Sequence, residues 1–293
     1  VSAGSAFQRL LDDLLHDVPG CGHYLDDILI SGLTQAEHDQ RLRTVLDRLE
    51  AAKVTVNHEK SSFSVSEVDF CGHRMSAVGV TPTASSVQAV TDAPRPETPK
   101  ELRSFLGLTG WFSRFVNNYA EVVRPMADLL KKDAPFEWTS TVDQSFQRIK
   151  QMVSSSPVLK PFSKDLPTVV TSDASDRGAG AVLSQVQPDG SEHPVAFWSR
   201  TFTDVERRYS VSEREALSAV QAVERWKVYL WGRKFTLRTD HSALTTLLSP
   251  KFSGRAGARV ARWQARLLPY AYDVVYVPGS HIPAADALSR LPL

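Results

Sequence analysis

The 293-residue chain is 42% hydrophobic and nearly neutral, with a formal charge of +1, so it has room for two or three domains but no globally cationic surface for nucleic acid. Its two cysteines, Cys21 and Cys71, are too few for a disulfide framework or a zinc knuckle, and a reduced, intracellular setting is expected. No apolar run approaches the ~18 residues that cross a membrane, and no signal peptide opens the chain.

Residues 5–16 place Ala6, Phe7, Leu10, Leu11, Leu14 and Leu15 on one helical stripe. After the Pro19-Gly20 turn comes Tyr24-Leu25-Asp26-Asp27, followed by Ile28-Leu29-Ile30. A β-strand sends neighbouring side chains to opposite faces, so Asp26 and Asp27 share a surface only where the strand turns. A tight hairpin with the pair at its tip would let both carboxylates hold Mg²⁺. The alternative is a Tyr-flanked turn with two solvated aspartates. Residues 34–52 read as a helix with Leu42, Val45, Leu46 and Leu49 inward, and 63–81 as short antiparallel strands with Gly72 and Gly79. Prolines 82, 94, 96 and 99 punctuate the next stretch. A helical pattern then runs through Leu102, Phe105, Leu106, Trp111, Phe112 and Phe115, and another helix covers about 143–154.

A new domain begins near Phe162, with strands at Thr168–Ser172, Gly178–Val186 and Val195–Ser199. A long helix, Glu213–Trp231, leads to a strand at Lys234–Thr239 and a short helix at Ser242–Leu248. A helix at Arg255–Leu268, a strand at Ala271–Val277 and a final helix from about Ala284 complete the order. Four acids stand at element edges: Asp173, Glu215, Asp240 and Asp286. Singly, each reads as a cap or a solvated strand end. If the edges converge, the carboxylates repel unless cations neutralise them, and a pair of Mg²⁺ ions would do so. Between residues 231 and 293 nine Lys/Arg face only three acids. Arg255, Arg259, Arg262 and Arg266 follow i, i+4, i+7, i+11 spacing and line one helix face. Like charges at that spacing oppose each other, which points to a polyanion partner or to a plain solvated face.

The segments Ser5-Ala6-Phe7-Gln8-Arg9-Leu10, Tyr24-Leu25-Asp26-Asp27, Asn57-His58-Glu59-Lys60 and Phe70-Cys71-Gly72-His73 resemble, in type and order, the reverse transcriptase of gypsy-type LTR retrotransposons. Cys71 replaces the usual Leu. Thr98–Gly107 resembles the helical thumb, and the contexts of the four acids resemble the RNase H domain of the same elements. The resemblance implies an α/β (α+β) fold: a partial reverse-transcriptase palm (1–81), a thumb and linker (82–160), then an RNase H-like mixed-sheet domain (161–293). It implies Asp26 and Asp27 as polymerase metal ligands. It also implies Asp173, Glu215, Asp240 and Asp286 as nuclease ligands for Mg²⁺, with Mn²⁺ as a substitute, and it selects Glu215 over Glu213. The implied partners are an RNA–DNA hybrid, primer–template nucleic acid and the remaining Pol polyprotein domains. The implied setting is a cytoplasmic retroelement particle, with the nucleus as an alternative. The expected activity is hydrolysis of RNA in RNA–DNA hybrids. RNA-directed DNA synthesis is expected of a complete polyprotein, which would supply the third palm aspartate from upstream. The competing readings are an inactive retroelement relic that binds nucleic acid and an integrase, which uses three acids beside a zinc module. His281 stands where the family usually has Asn, and reads as a surface residue or as a proton shuttle.

Overall fold

Residues 3–250 and 257–278 are described by the computed structural model, and the chain divides into two units, Val1–Val78 and Gly79–Leu293. The expected final helix, Asp286, His281 and Arg255 lie outside the described residues.

In the first unit, helix α1 (Ala3–Leu15) buries Leu11 and Leu15 against Val45 and Leu49 of helix α2 (Gln35–Ala51). Helix α2 starts where it does because the Thr34 hydroxyl accepts the Glu37 N–H, one of the donors a helix start leaves open. Strands β1 (Cys21–Tyr24) and β2 (Asp27–Ile30) form an antiparallel hairpin between the two helices. A second hairpin joins β3 (Glu67–Phe70) to β4 (His73–Ser76). Its two turn residues, Cys71 and Gly72, both have left-handed φ, +49° and +78°, the combination a tight two-residue turn requires.

The second unit begins with β5 (Val80–Pro82), whose Val80 exchanges backbone hydrogen bonds of 2.7 and 2.9 Å with Leu159. Helices α3 (Ala84–Thr91), α4 (Pro99–Gly110), α5 (Tyr119–Asp128) and α6 (Ser140–Ser154) then pack around Leu102, Phe105, Phe112, Met126, Phe146 and Ile149. Helix α4 carries its start signal in sequence: Thr98 caps it, Pro99 takes the first turn, and Glu101 returns its carboxylate to the Glu97 N–H. Helix α5 was hidden by Pro125, which removes one helical donor. It persists because Val123 and Met126 are buried.

The remaining elements build a five-stranded mixed sheet ordered β10-β9-β6-β7-β8. Strands β6 (Thr168–Ala174), β7 (Gly178–Val186) and β8 (Glu192–Thr201) run antiparallel in sequence. Helices α7 (Asp204–Arg207), α8 (Val211–Arg225) and α9 (Lys227–Leu230) then cross over to β9 (Lys234–Thr239), parallel to β6. Helices α10 (Ala243–Leu247) and α11 (Ala258–Leu267) return the chain to β10 (Ala271–Tyr276), parallel to β9. The alternation of strand side chains gives the sheet two apolar faces. Leu183 joins Val170, Leu237 and the Ala216-Ala219-Val220-Val223 stripe of α8. Val182 and Phe197 pack from the other face against Phe115 and Leu159. The small residues on α8 let it lie close over β6.

The long helix expected over Glu213–Trp231 is two pieces. Trp226 leaves helical geometry at ψ 23° and buries its indole. The apolar spacing runs through the break because Trp226 and Leu230 both face the same core. At its other end, α8 is set by a reciprocal cap: Ser210 accepts the Glu213 N–H, and Glu213 accepts the Ser210 N–H. Replacing Ser210 by Ala is expected to cost about 1 kcal/mol of stability. The urea midpoint would fall at unchanged slope, and an unmoved midpoint would show that the cap contributes nothing.

Candidate nuclease centre and polymerase hairpin

Strands β6 and β9 pair in parallel with Val170 opposite Leu237 and Thr171 opposite Arg238. Two residues further along that register, Asp173 and Asp240 stand level at neighbouring strand ends. Helix α8 crosses above and lowers Glu215 between them. One oxygen from each of the three carboxylates lies within 4.8 Å of the others. Ser218, one turn beyond Glu215, donates its hydroxyl to the Asp173 carbonyl at 2.9 Å and so fixes the helix to the strand end. His241 Nε2 and Ser212 Oγ lie 2.7 Å apart, tying the residue after Asp240 to the first turn of α8.

Burial, followed by the charges of Asp173 and Asp240, pushes Glu215 up to about 8. Asp173 is raised as well, by burial first and then by Asp240 and Glu121. By surface area Asp173 is exposed, but it sits in a recess crowded by protein, and the crowding sets the sign of its shift. Glu215 Oε1 accepts the Ala174 N–H at 3.2 Å, whereas Oε2 is buried without a partner. A buried carboxylate oxygen left open beside two further carboxylates is the donor set of a hard divalent cation. The residues present therefore fit a metal site. Among the described residues no other group of three His, Cys, Asp or Glu converges in this way.

Glu213 faces elsewhere. It closes the α8 cap and pairs with Arg259, whose guanidinium also stacks 3.9 Å from the Tyr209 ring centroid. Of the expected arginine stripe, Arg266 pairs with Glu224 of α8 and Arg262 is exposed, reaching only the Ala258 carbonyl at 3.3 Å. Arg259, Arg262 and Arg266 thus fall at i, i+3 and i+7 on α11, but the first and last of them hold α11 to α8.

In the first unit, Leu25 and Asp26 form a two-residue loop between the paired Tyr24 and Asp27. Leu25 adopts φ +52°, a conformation that costs a non-glycine residue about 1–2 kcal/mol. Its N–H is held at 2.7 Å by Gln8 Oε1 of α1, and the Gln8 amide also contacts His23 Nδ1 at 3.1 Å. Asp26 and Asp27 are exposed at this tip. The Phe70-Cys71-Gly72-His73 turn lies close enough for the Asp27 charge, after burial, to help raise the Cys71 thiol. Sequence motifs mark both turns but assign no role to Gln8, Ser212, Ser218 or His241. The signal for Ser218 was its i+3 spacing from Glu215, and for His241 its place after Asp240.

Residues 1–75 match the family described as reverse transcriptase (RNA-dependent DNA polymerase). Residues 138–237 match the RNase H-like domain found in reverse transcriptase. The retrovirus-related Pol polyprotein from transposon 297 of Drosophila melanogaster is 35% identical over 99% of this chain and 27% of its own length. The Tf2-3 transposon polyprotein of Schizosaccharomyces pombe is 36% identical over 92% of this chain and 20% of its own. The chain thus spans about a quarter of these relatives. Among solved structures, the foamy viral protease-reverse transcriptase dRH in complex with double-stranded DNA superimposes with a TM-score of 0.81 at 25% identity. The match covers 94% of this chain and 49% of that one. The same enzyme in complex with an RNA/DNA hybrid gives 0.81 at 23%, over 100% and 39%.

Proposed function

The chain belongs to the reverse transcriptase and RNase H part of the transposon Pol polyproteins, and from that premise we propose that its second unit hydrolyses the RNA strand of RNA–DNA hybrids. The observation that carries this reading is the convergence of Asp173, Glu215 and Asp240 around an open, buried carboxylate oxygen. These three, with Asp286 as a fourth, would hold Mg²⁺, for which Mn²⁺ substitutes. When bound, such an ion lowers the pKa of water and stabilises charge on the departing oxygen.

The chain's own residues do the rest. Ser218 and the Ser212–His241 contact hold the two strand ends and α8 in one arrangement. Nucleic acid as the partner is supported by the foamy viral relative solved with double-stranded DNA at 25% identity. Selection of RNA would rest on 2′-hydroxyl contacts. Of the α11 arginines, Arg262 is the described one free to meet a phosphate, whereas Arg259 and Arg266 are engaged by glutamates. Asp26 and Asp27 would serve as polymerase metal ligands within the longer polyprotein, whose remaining domains are the further partners.

The test is strand selectivity. The full chain, with Mg²⁺, is offered labelled RNA–DNA hybrid, duplex DNA and single-stranded RNA. Cutting of the RNA strand in the hybrid alone is expected. Equal cutting of duplex DNA, or binding of hybrid with no cutting, would remove the nuclease assignment.

A further inference from the structure

Beside the acid cluster lies a recess walled by segments far apart in sequence. The sheet contributes Asp173, Ser175 and Arg177, and the first turns of α5 contribute Asn118, Glu121 and Arg124. A wider groove of about 740 Å³ runs on between α5 and β8 and shares Arg124, Ser199 and Arg200 with the recess. Helix α5 is ten residues long, about 15 Å at 1.5 Å per residue. That length matches several successive phosphates of a nucleic-acid strand, which carries a charge about every 3.4 Å.

The joint between α5 and the sheet is built rather than incidental. The Ala120 N–H donates to Ser199 Oγ at 2.9 Å. Asn118, at φ +51°, lays its side-chain oxygen over Gly180, where a Cβ would approach to 2.3 Å. Gly180 is the register partner of Asp173. The position of α5 is therefore set directly against the strand pair that carries a proposed metal ligand.

Charge matching singles out one residue. Arg200 is held by Glu206 at 2.6 Å, Lys131 by Asp128 at 2.8 Å and Arg207 by Asp204 at 3.4 Å. Arg177 has only its exposed neighbour Asp176, at 3.5 Å. Arg124 is partly buried at the junction of recess and groove, and no ion pair or hydrogen bond joins its guanidinium to any described residue. The negative charge of the recess comes from Glu121 and Asp173, and a divalent cation held by the proposed metal ligand Asp173 would offset its share. A guanidinium left open beside a cleft is suited to bidentate binding of phosphate.

We propose that the recess and groove hold the phosphodiester backbone of the nuclease substrate next to the cut bond, with Arg124 and Arg177 as phosphate ligands. The helical segment ahead of the sheet thereby supplies a substrate contact to the nuclease centre. This deepens the nuclease reading and rests on it.

The test uses the full chain and a fluorescein-labelled RNA–DNA hybrid, with anisotropy followed across a salt series in Ca²⁺. Arg124→Gln should weaken binding and lower the slope of log affinity against log salt by about 0.7–0.9, with Arg124→Gln/Arg177→Gln lowering it about twice as far. Arg124→Lys, which keeps the charge, should recover most of the slope. In Mg²⁺ cleavage, the loss should fall on the half-saturating concentration more than on the saturated rate. Unchanged affinity and slope in the double variant, with its melting temperature intact, would overturn the subsite. Wild-type protein that binds hybrid with the expected slope but does not cut would remove the nuclease reading alone. Wild type that does not bind hybrid would overturn both.

Discussion

Glu215→Gln is expected to stabilise the metal-free protein at pH 8 while removing its nuclease activity. Glu215 is 4% exposed and is pushed from 4.5 up to about 8 by burial and by the charges of Asp173 and Asp240. Between those two values the folded state binds a proton that the unfolded state has released. Stability therefore falls as pH rises through that window, and the full effect is a few kcal/mol at most. Asp173, also raised, acts in the same direction. The amide of Gln keeps the Ala174 contact without the charge. In EDTA, the urea midpoint of wild type should fall between pH 5 and pH 8.5, and that of Glu215→Gln should fall much less. Added Mg²⁺ should restore the wild type and not the variant, because an ion that binds only the folded state stabilises it. A wild-type midpoint that is flat across this range, or a variant with the same decline, would contradict the buried-carboxylate account.

Asp240→Asn should have a comparably large effect on rate with little effect on fold. Asp240 follows the last residue of β9, is exposed and takes no part in the core cluster. The amide preserves shape and removes one charge from the cluster. Losing even an outer partner of a bound metal typically costs roughly 10–100-fold, so loss of a direct ligand should exceed that in single-turnover cleavage of hybrid. Binding of hybrid in EDTA should be unchanged or slightly tighter, since a negative charge has left the path of a polyanion. Cleavage within a few-fold of wild type would show that Asp240 holds no metal.

The strands were legible because their signals are local. Gly178–Val186 and Lys234–Thr239 are bounded by turn residues and fall where sequence placed them. The mixed α/β order of the second unit followed from the same pattern. The break at Trp226 was not legible, since apolar spacing cannot tell a continuous helix from two that face one core. Helix α5 was masked by Pro125, whose local penalty is outweighed by the burial of its neighbours. At the site, four acid positions could be named from their contexts, and the structure brings Asp173, Glu215 and Asp240 together. What sequence could not supply was the joining of distant segments: Gln8 under the Leu25 turn, Ser212 on His241, and Arg124 beside Asp173. The arginine stripe shows the converse. Spacing along one helix could not show that Glu213 and Glu224 on another already engage Arg259 and Arg266.

The most direct measurement is a Mg²⁺ titration of RNA-strand cleavage in an RNA–DNA hybrid, comparing the full chain with Asp173→Asn. Wild type should be inactive in EDTA, gain activity with Mg²⁺ and saturate, while Asp173→Asn stays near background at every concentration despite a melting temperature in EDTA no lower than that of wild type. Metal-dependent cleavage by Asp173→Asn at the wild-type rate would contradict the assignment of this carboxylate cluster as the nuclease centre.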